Sequence, residues 1–195
     1  MSLGRSVARI TLERELERVL PTLPPGVVMD VGAKRAPYRD LVPATEYLTL
    51  DIRPESGADI VGDLHDVPRD SASVDTVIAT EVLEHCYDPE RAAAEVHRLL
   101  RPGGICILST RFLHPFHPDP HDYYRFTNEG LAHLFRAFSE VQIRPLGNRL
   151  HAVWMLLPRR PRPVGWLVAA SSPVVASIEL PRSANPCGYL VRAVR

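Results

Sequence analysis

A chain of 195 residues carries 23 Lys and Arg against 23 Asp and Glu, so its formal net charge is zero. That length suits one domain with a real buried core, and the balanced charge removes the electrostatic case for a nucleic-acid partner. Cys86, Cys106 and Cys187 stand far apart with no Cys-x-x-Cys pair, which points to neither a zinc site nor a disulfide scaffold.

The first segment is amphipathic. Leu12, Leu16, Val19 and Leu20 fall on one helical face with charges between them, and Pro21 and Pro24-Pro25-Gly26 end the helix. The same charges interrupt any signal-peptide core, so a reducing cytoplasm is the expected compartment. Val27 to Val31 follows as an unbroken apolar run holding Asp30, the pattern of a parallel strand covered on both faces. Gly32 then allows a sharp turn. In an open α/β sheet, ligands bind at the carboxyl ends of the strands, so Asp30 and Gly32 mark a candidate cofactor position. Tyr38 to Val42 has room for one helical turn before Pro43.

Glu46 to Asp51 reads as a second strand, again ending in an acid. Asp51 stands about 20 positions past the glycine turn, where a carboxylate can accept from both ribose hydroxyls of a nucleotide. Ala58 to Val61 is a short third strand running into Gly62-Asp63-Leu64. The connection before it is too short for a helix, so this strand is expected to be a short edge piece. Val74 to Thr80 is the fourth strand. A helix opened by Pro89 carries Ala92, Ala93, Val96, Leu99 and Leu100 on one face and is expected to stop at Pro102-Gly103-Gly104. Ile105 to Ser109 makes a fifth strand. Thr127 is a candidate N-cap for a helix burying Leu131, Leu134, Phe135 and Phe138. Val141 to Ile143 starts a sixth strand and Tyr189 to Val194 a seventh.

Strands alternating with helices predict a parallel α/β sheet with helices on both faces. The organisation expected is a single domain: an N-terminal helix over 1–26, a cofactor-binding core over 27–147, an apolar helical insert over 148–186 and a final strand over 187–195. The insert is too short and too interrupted, by Pro173 and Glu179, to span a membrane. A cap over the active site, a homodimer contact and a weak membrane-surface contact all stay open for it.

The ordered set Asp30-Val-Gly32, Asp51, Gly62-Asp63-Leu64, Glu81-Val-Leu-Glu-His85 with Asp88-Pro89, and Leu100-Arg-Pro-Gly-Gly104 resembles class I S-adenosylmethionine-dependent methyltransferases. It looks most like the type 11 methyltransferase domain, over about Val27 to Leu146. The resemblance implies a Rossmann-like seven-stranded sheet with an antiparallel last strand beside the sixth, and S-adenosylmethionine as cofactor. It implies Asp30 and Gly32 under the methionine part, Asp51 at the ribose hydroxyls, Asp63 and Leu64 beside the adenine, and Thr80 and Glu81 near the sulfonium. Lys34, the one lysine in the chain, stands where the family usually has a second glycine. Its side chain either crowds the cofactor, pairs with the cofactor carboxylate, or points to solvent.

The segment His114 to Thr127 follows the fifth strand, at the rim where substrate enters. It resembles a segment of type 11 members found in glycan and natural-product clusters, which suggests a small or sugar-like acceptor. Methyl transfer from a sulfonium needs alignment, and an acceptor hydroxyl also needs a base. His117 is the first candidate for that base and His121 the second, with Tyr124 as a candidate orienter. His114, His117 and His121 with Asp119 and Asp122 form no recognised ligand spacing, so no metal is expected. Asp122, Tyr123 and Arg125 read equally well as pins for the loop, and His85 as a packing residue at a helix start. Two rival functions remain: a methyltransferase-like scaffold, with or without cofactor, and a nicotinamide-dependent reductase. The second lacks both a Gly-x-Gly-x-x-Gly turn and a Ser-Tyr-Lys set.

Overall fold

The structure is a computed structural model that describes residues 5–33, 36–118, 121–157, 162–181 and 185–195. Seven strands form one sheet: β1 (Gly26–Val31), β2 (Ala44–Asp51), β3 (Ile60–Val61), β4 (Val74–Thr80), β5 (Leu100–Arg111), β6 (Glu140–Leu146) and β7 (Gly188–Val194). Their order is β3-β2-β1-β4-β5-β7-β6. The first five are parallel neighbours, and β7 runs antiparallel between β5 and β6. This is the expected Rossmann-like architecture, with the direction of winding reversed between β1 and β4.

Alternation along the central strands sorts two cores. Met29 and Val31 of β1, with Val77, Ala79, Cys106 and Leu108, pack under α2 (Pro89–Leu99) and α3 (Asn128–Leu134), through Val96, Leu131 and Phe135 among others. Val28, Ile78, Ile105, Ile107 and Leu190 face the other way, against Leu12, Leu16 and Leu20 at the end of α1 (Val7–Val19). These three leucines are fully buried, each contributing about 1.5–3 kcal/mol. Ser6 starts α1 by accepting the Arg9 N–H, as Thr127 starts α3 by accepting that of Gly130. Asp88 caps α2, with Pro89 in its first turn.

Two expectations need correction. Helix α2 does not run to Pro102-Gly103-Gly104: it ends at Leu99, and β5 begins at Leu100, whose backbone is already extended. Leu100 pairs with Val74 at the foot of β4, and the Pro-Gly-Gly stretch fills a register shift within β5. Gly104 is needed there because a Cβ would stand 2.8 Å from the Arg101 carbonyl oxygen. The third strand is shorter than 58–61, only Ile60–Val61. The Asp59 carboxylate replaces it alongside Thr49, accepting both the Thr49 N–H at 2.8 Å and its hydroxyl at 2.7 Å.

The insert forms α4 (Arg149–Leu156) and α5 (Arg162–Val175), with Pro173 inside α5. Their buried side packs on the start of α1, through Ala152, Met155 and Val175 against Val7 and Ala8. Val153, Leu156, Trp166, Leu167 and Val174 face outward. Among the described residues, no helix is long and apolar enough to cross a membrane.

Candidate active site

A cavity of about 560 Å³ opens at the carboxyl ends of β1, β2 and β4, where the winding reverses and such sheets hold ligands. Asp30, Gly32, Asp51, Asp63, Leu64, Thr80 and Glu81 all line it, as do His117 and His121. Lys34 lies outside the described residues, as does Asp119. Tyr124 is not part of the wall; it is 40% exposed, and its hydroxyl donates to the Tyr87 carbonyl at 3.1 Å.

Gly32 has φ +67 and donates its N–H to the Leu50 carbonyl at 2.7 Å, which draws the turn after β1 over the end of β2. A Cβ there would meet the Val82 methyl at 2.9 Å in a backbone region that L side chains avoid. Gly32→Ala is expected to cost about 1–2 kcal/mol and to lower the unfolding temperature by several degrees. Thermal denaturation with an unchanged midpoint would refute that strain.

The three acids differ in their surroundings. Asp30 is buried and accepts the Tyr47 hydroxyl at 2.7 Å. Burial pushes its carboxyl up to about 6, against the Tyr47 hydrogen bond and the Arg39 charge. Asp51 is also buried. Its Oδ1 accepts the Arg53 N–H at 3.0 Å, while its Oδ2 has no partner. A buried carboxylate oxygen without a donor is costly unless a ligand supplies one. Asp63 is tied to His65, accepting that residue's N–H at 2.9 Å and contacting its Nδ1. His65 Nε2 accepts the Asp88 N–H at 3.3 Å, which places the ring proton on Nδ1 facing Asp63. The His65 ring stacks on Tyr87 at 4.1 Å.

At the end of β4, Glu81 takes φ +58, rare for a side chain of its kind, and its carboxylate bridges to Arg111 on β5. Glu84 is fully buried; its Oε2 accepts the Thr110 hydroxyl at 3.0 Å and its Oε1 has no partner. Burial, reinforced by the Glu81 charge, holds the Glu84 carboxyl above its ordinary range.

The loop after β5 is fastened over this end of the sheet. Asp122 receives the Arg125 guanidinium on both oxygens and the His117 N–H at 2.8 Å. Arg125 holds the Asp122 carboxyl down to about 2. The Tyr123 N–H donates to the Glu84 carbonyl at 2.9 Å. Asp122, Tyr123 and Arg125 therefore pin the loop, and the pinning brings the His117 ring within 5.0 Å of His85. Desolvation, then the charge of His85, lowers the His117 pKa. His85 lines the cavity, whereas its sequence context suggested a packing role. His65 and Ile52 also belong to the wall without having been singled out. For His65, its position two residues after a strand-end acid was the available signal. Among the described residues, none of α4 or α5 lines the cavity.

Residues 34–108 match the sequence model of the family described as "Methyltransferase domain". The chain is 43% identical over 49 residues to a Mycolicibacterium smegmatis protein named "Probable S-adenosylmethionine-dependent methyltransferase", a match over 25% of this chain and 19% of that protein. It is 34% identical over 106 residues to the malonyl-[acyl-carrier protein] O-methyltransferase of Methylococcus capsulatus, over 45% of this chain and 38% of the relative. The chain thus spans well under half the length of these two relatives. Among solved structures, it resembles a chain of the "Complex between the Haloferax volcanii Trm112 methyltransferase activator and the putative methyltransferase", at a TM-score of 0.65 and 20% identity, over 94% of this chain and 88% of that one. That likeness speaks for the fold. The seven-stranded order, the cavity at the winding reversal and the match over residues 34–108 together support a methyltransferase domain like those of the class I S-adenosylmethionine-dependent methyltransferases.

Proposed function

We propose that the protein transfers the methyl group of S-adenosylmethionine to a hydroxyl of a small acceptor, such as a sugar or a natural product. The observation that carries this reading is the unpartnered Oδ2 of Asp51, buried in the wall of a cavity it shares with Asp30 and Asp63. A nucleoside with two vicinal hydroxyls supplies the donors that oxygen lacks. Asp30 and Gly32 then underlie the methionine part, whose ammonium gives the Asp30 carboxylate a counter-charge. Asp63 and Leu64 would hold the adenine, and Thr80 and Glu81 the sulfonium end.

In the transfer the S–CH3 bond breaks as the O–CH3 bond forms, and the electron pair passes to sulfur. The protein's part is alignment of acceptor oxygen, methyl carbon and sulfur. A loop imidazole, His117 or His121, takes the hydroxyl proton; both lie in the cavity wall.

Calorimetric titration with S-adenosylmethionine and S-adenosylhomocysteine tests the reading directly. Saturable binding of both at sub-millimolar concentration is expected. Absence of binding would leave a methyltransferase-like scaffold as the better account.

A further inference from the structure

His85 and His117 line the cavity, and the buried Glu84 side chain lies beside them. Glu84, His85 and His117 each offer a ligand atom, and these atoms all lie within 4.8 Å of one another. We infer that Glu84, His85 and His117 form a binding site for a divalent first-row transition ion such as zinc.

Three independent features support it. Glu84 is a fully buried carboxylate whose Oε1 has no hydrogen-bond partner. Arg111 and Arg125 bear on it electrostatically, yet their guanidinium groups are held by Glu81 and Asp122. A buried carboxyl oxygen without a partner is costly, and a metal ion supplies one. Second, His85 Nδ1 donates to the His121 carbonyl, which directs Nε2 away from that bond and free to ligate. A ring nitrogen tied to a backbone carbonyl is the usual outer support of a metal-bound imidazole, because it fixes tautomer and orientation. Third, the His117 backbone is fixed by the Asp122 carboxylate, so its ring meets His85 at 5.0 Å through loop geometry that is already paid for by the Arg125 bridge.

Two imidazoles and one carboxylate suit zinc and its first-row neighbours better than calcium or magnesium, which prefer oxygen. His85 and His117 line the cavity, so an ion enters through it. Three protein ligands leave a position open, and a hydroxyl bound there loses its proton more readily. The ion site stands on the geometry alone; this role in the reaction rests on the methyl-transfer reading. With His117 ligated, His121 is the imidazole left to accept the hydroxyl proton, while the methyl bond passes from sulfur to oxygen as before. The spacing within residues 114–122 concealed the site, because two of its three ligands come from the segment after β4.

The test uses the whole chain, freed of metal by a chelator and titrated with zinc and then cobalt(II). Saturable binding of one ion per chain is expected, with the visible cobalt absorption of a four- or five-coordinate site. His117→Ala should weaken it more than about tenfold, and His85→Ala likewise, whereas His121→Ala keeps all three ligands and the absorption. Calorimetry with S-adenosylhomocysteine runs alongside as a measure of fold and of the other site. Ion binding lost with homocysteine-ligand binding kept supports the cluster. No saturable zinc or cobalt binding by the parent chain overturns it, as does binding that both histidine variants leave unchanged. Cofactor binding without ion binding sinks the ion site and spares the methyl-transfer reading; the reverse result does the opposite.

Discussion

Asp51→Ala is expected to weaken S-adenosylhomocysteine binding by roughly 100-fold or more. Hydrogen bonds to a charged group contribute about 1.5–3 kcal/mol each, and two ribose hydroxyls face one carboxylate. Oδ1 already accepts the Arg53 N–H, so the unpartnered Oδ2 carries most of the ligand's share. The cause is checked by repeating the titration with an analogue that lacks both ribose hydroxyls. Parent and variant should then bind nearly alike. If the analogue loses as much affinity to the substitution as the natural ligand does, Asp51 does not serve the ribose.

The second large effect concerns stability. The Asp30 carboxyl is pushed up to about 6 by burial, against about 3.9 in an unfolded chain. The folded state therefore binds more protons than the unfolded state between these values. Its stability contribution is fully present below pH 4 and is lost as the pH rises through 6. The difference of about two units corresponds to about 3 kcal/mol. Asp30→Asn, whose amide oxygen still accepts the Tyr47 hydroxyl, removes the buried charge. The variant should be more stable than the parent at pH 8 by up to about 3 kcal/mol, and the advantage should vanish near pH 4. Chemical denaturation across that range measures it, and parallel curves for the two proteins would contradict it. Cofactor binding should move the other way, since the asparagine offers no charge to an ammonium. A gain in stability at the expense of ligand binding is the usual mark of a functional group held in an unfavourable setting.

The strands were legible where they are buried on both faces. Val27 to Val31 and Val74 to Thr80 read as apolar runs bounded by turns, and β4 has the expected bounds. The edge piece after Asp51 was foreseen as short, though its replacement by the Asp59 side chain depends on a tertiary contact that no local pattern announces. The end of α2 was misplaced because Pro-Gly-Gly is a strong stop signal; here it serves a strand irregularity instead. Strand-end acids pointed to the cavity through their spacing. His65 and His85 did not, because what brings them to the wall is the Asp63 bond in one case and the folded-over loop in the other. Tyr124 was a candidate orienter for the base. Its side chain instead leans out to the Tyr87 carbonyl.

The placement of β7 has a consequence for how the sheet is completed. Among the described residues, strand β6 pairs with β7 alone, and Gly188 fits against the Thr110 carbonyl because a side chain there would collide with it at 2.3 Å. During synthesis, Leu100–Arg111 therefore waits with one flank unpaired until residues 188–194 emerge and slot in. Such a naked flank invites pairing with neighbouring chains, and long-range closure of this kind is slow. A cell making this protein has reason to shield the nascent chain over that interval.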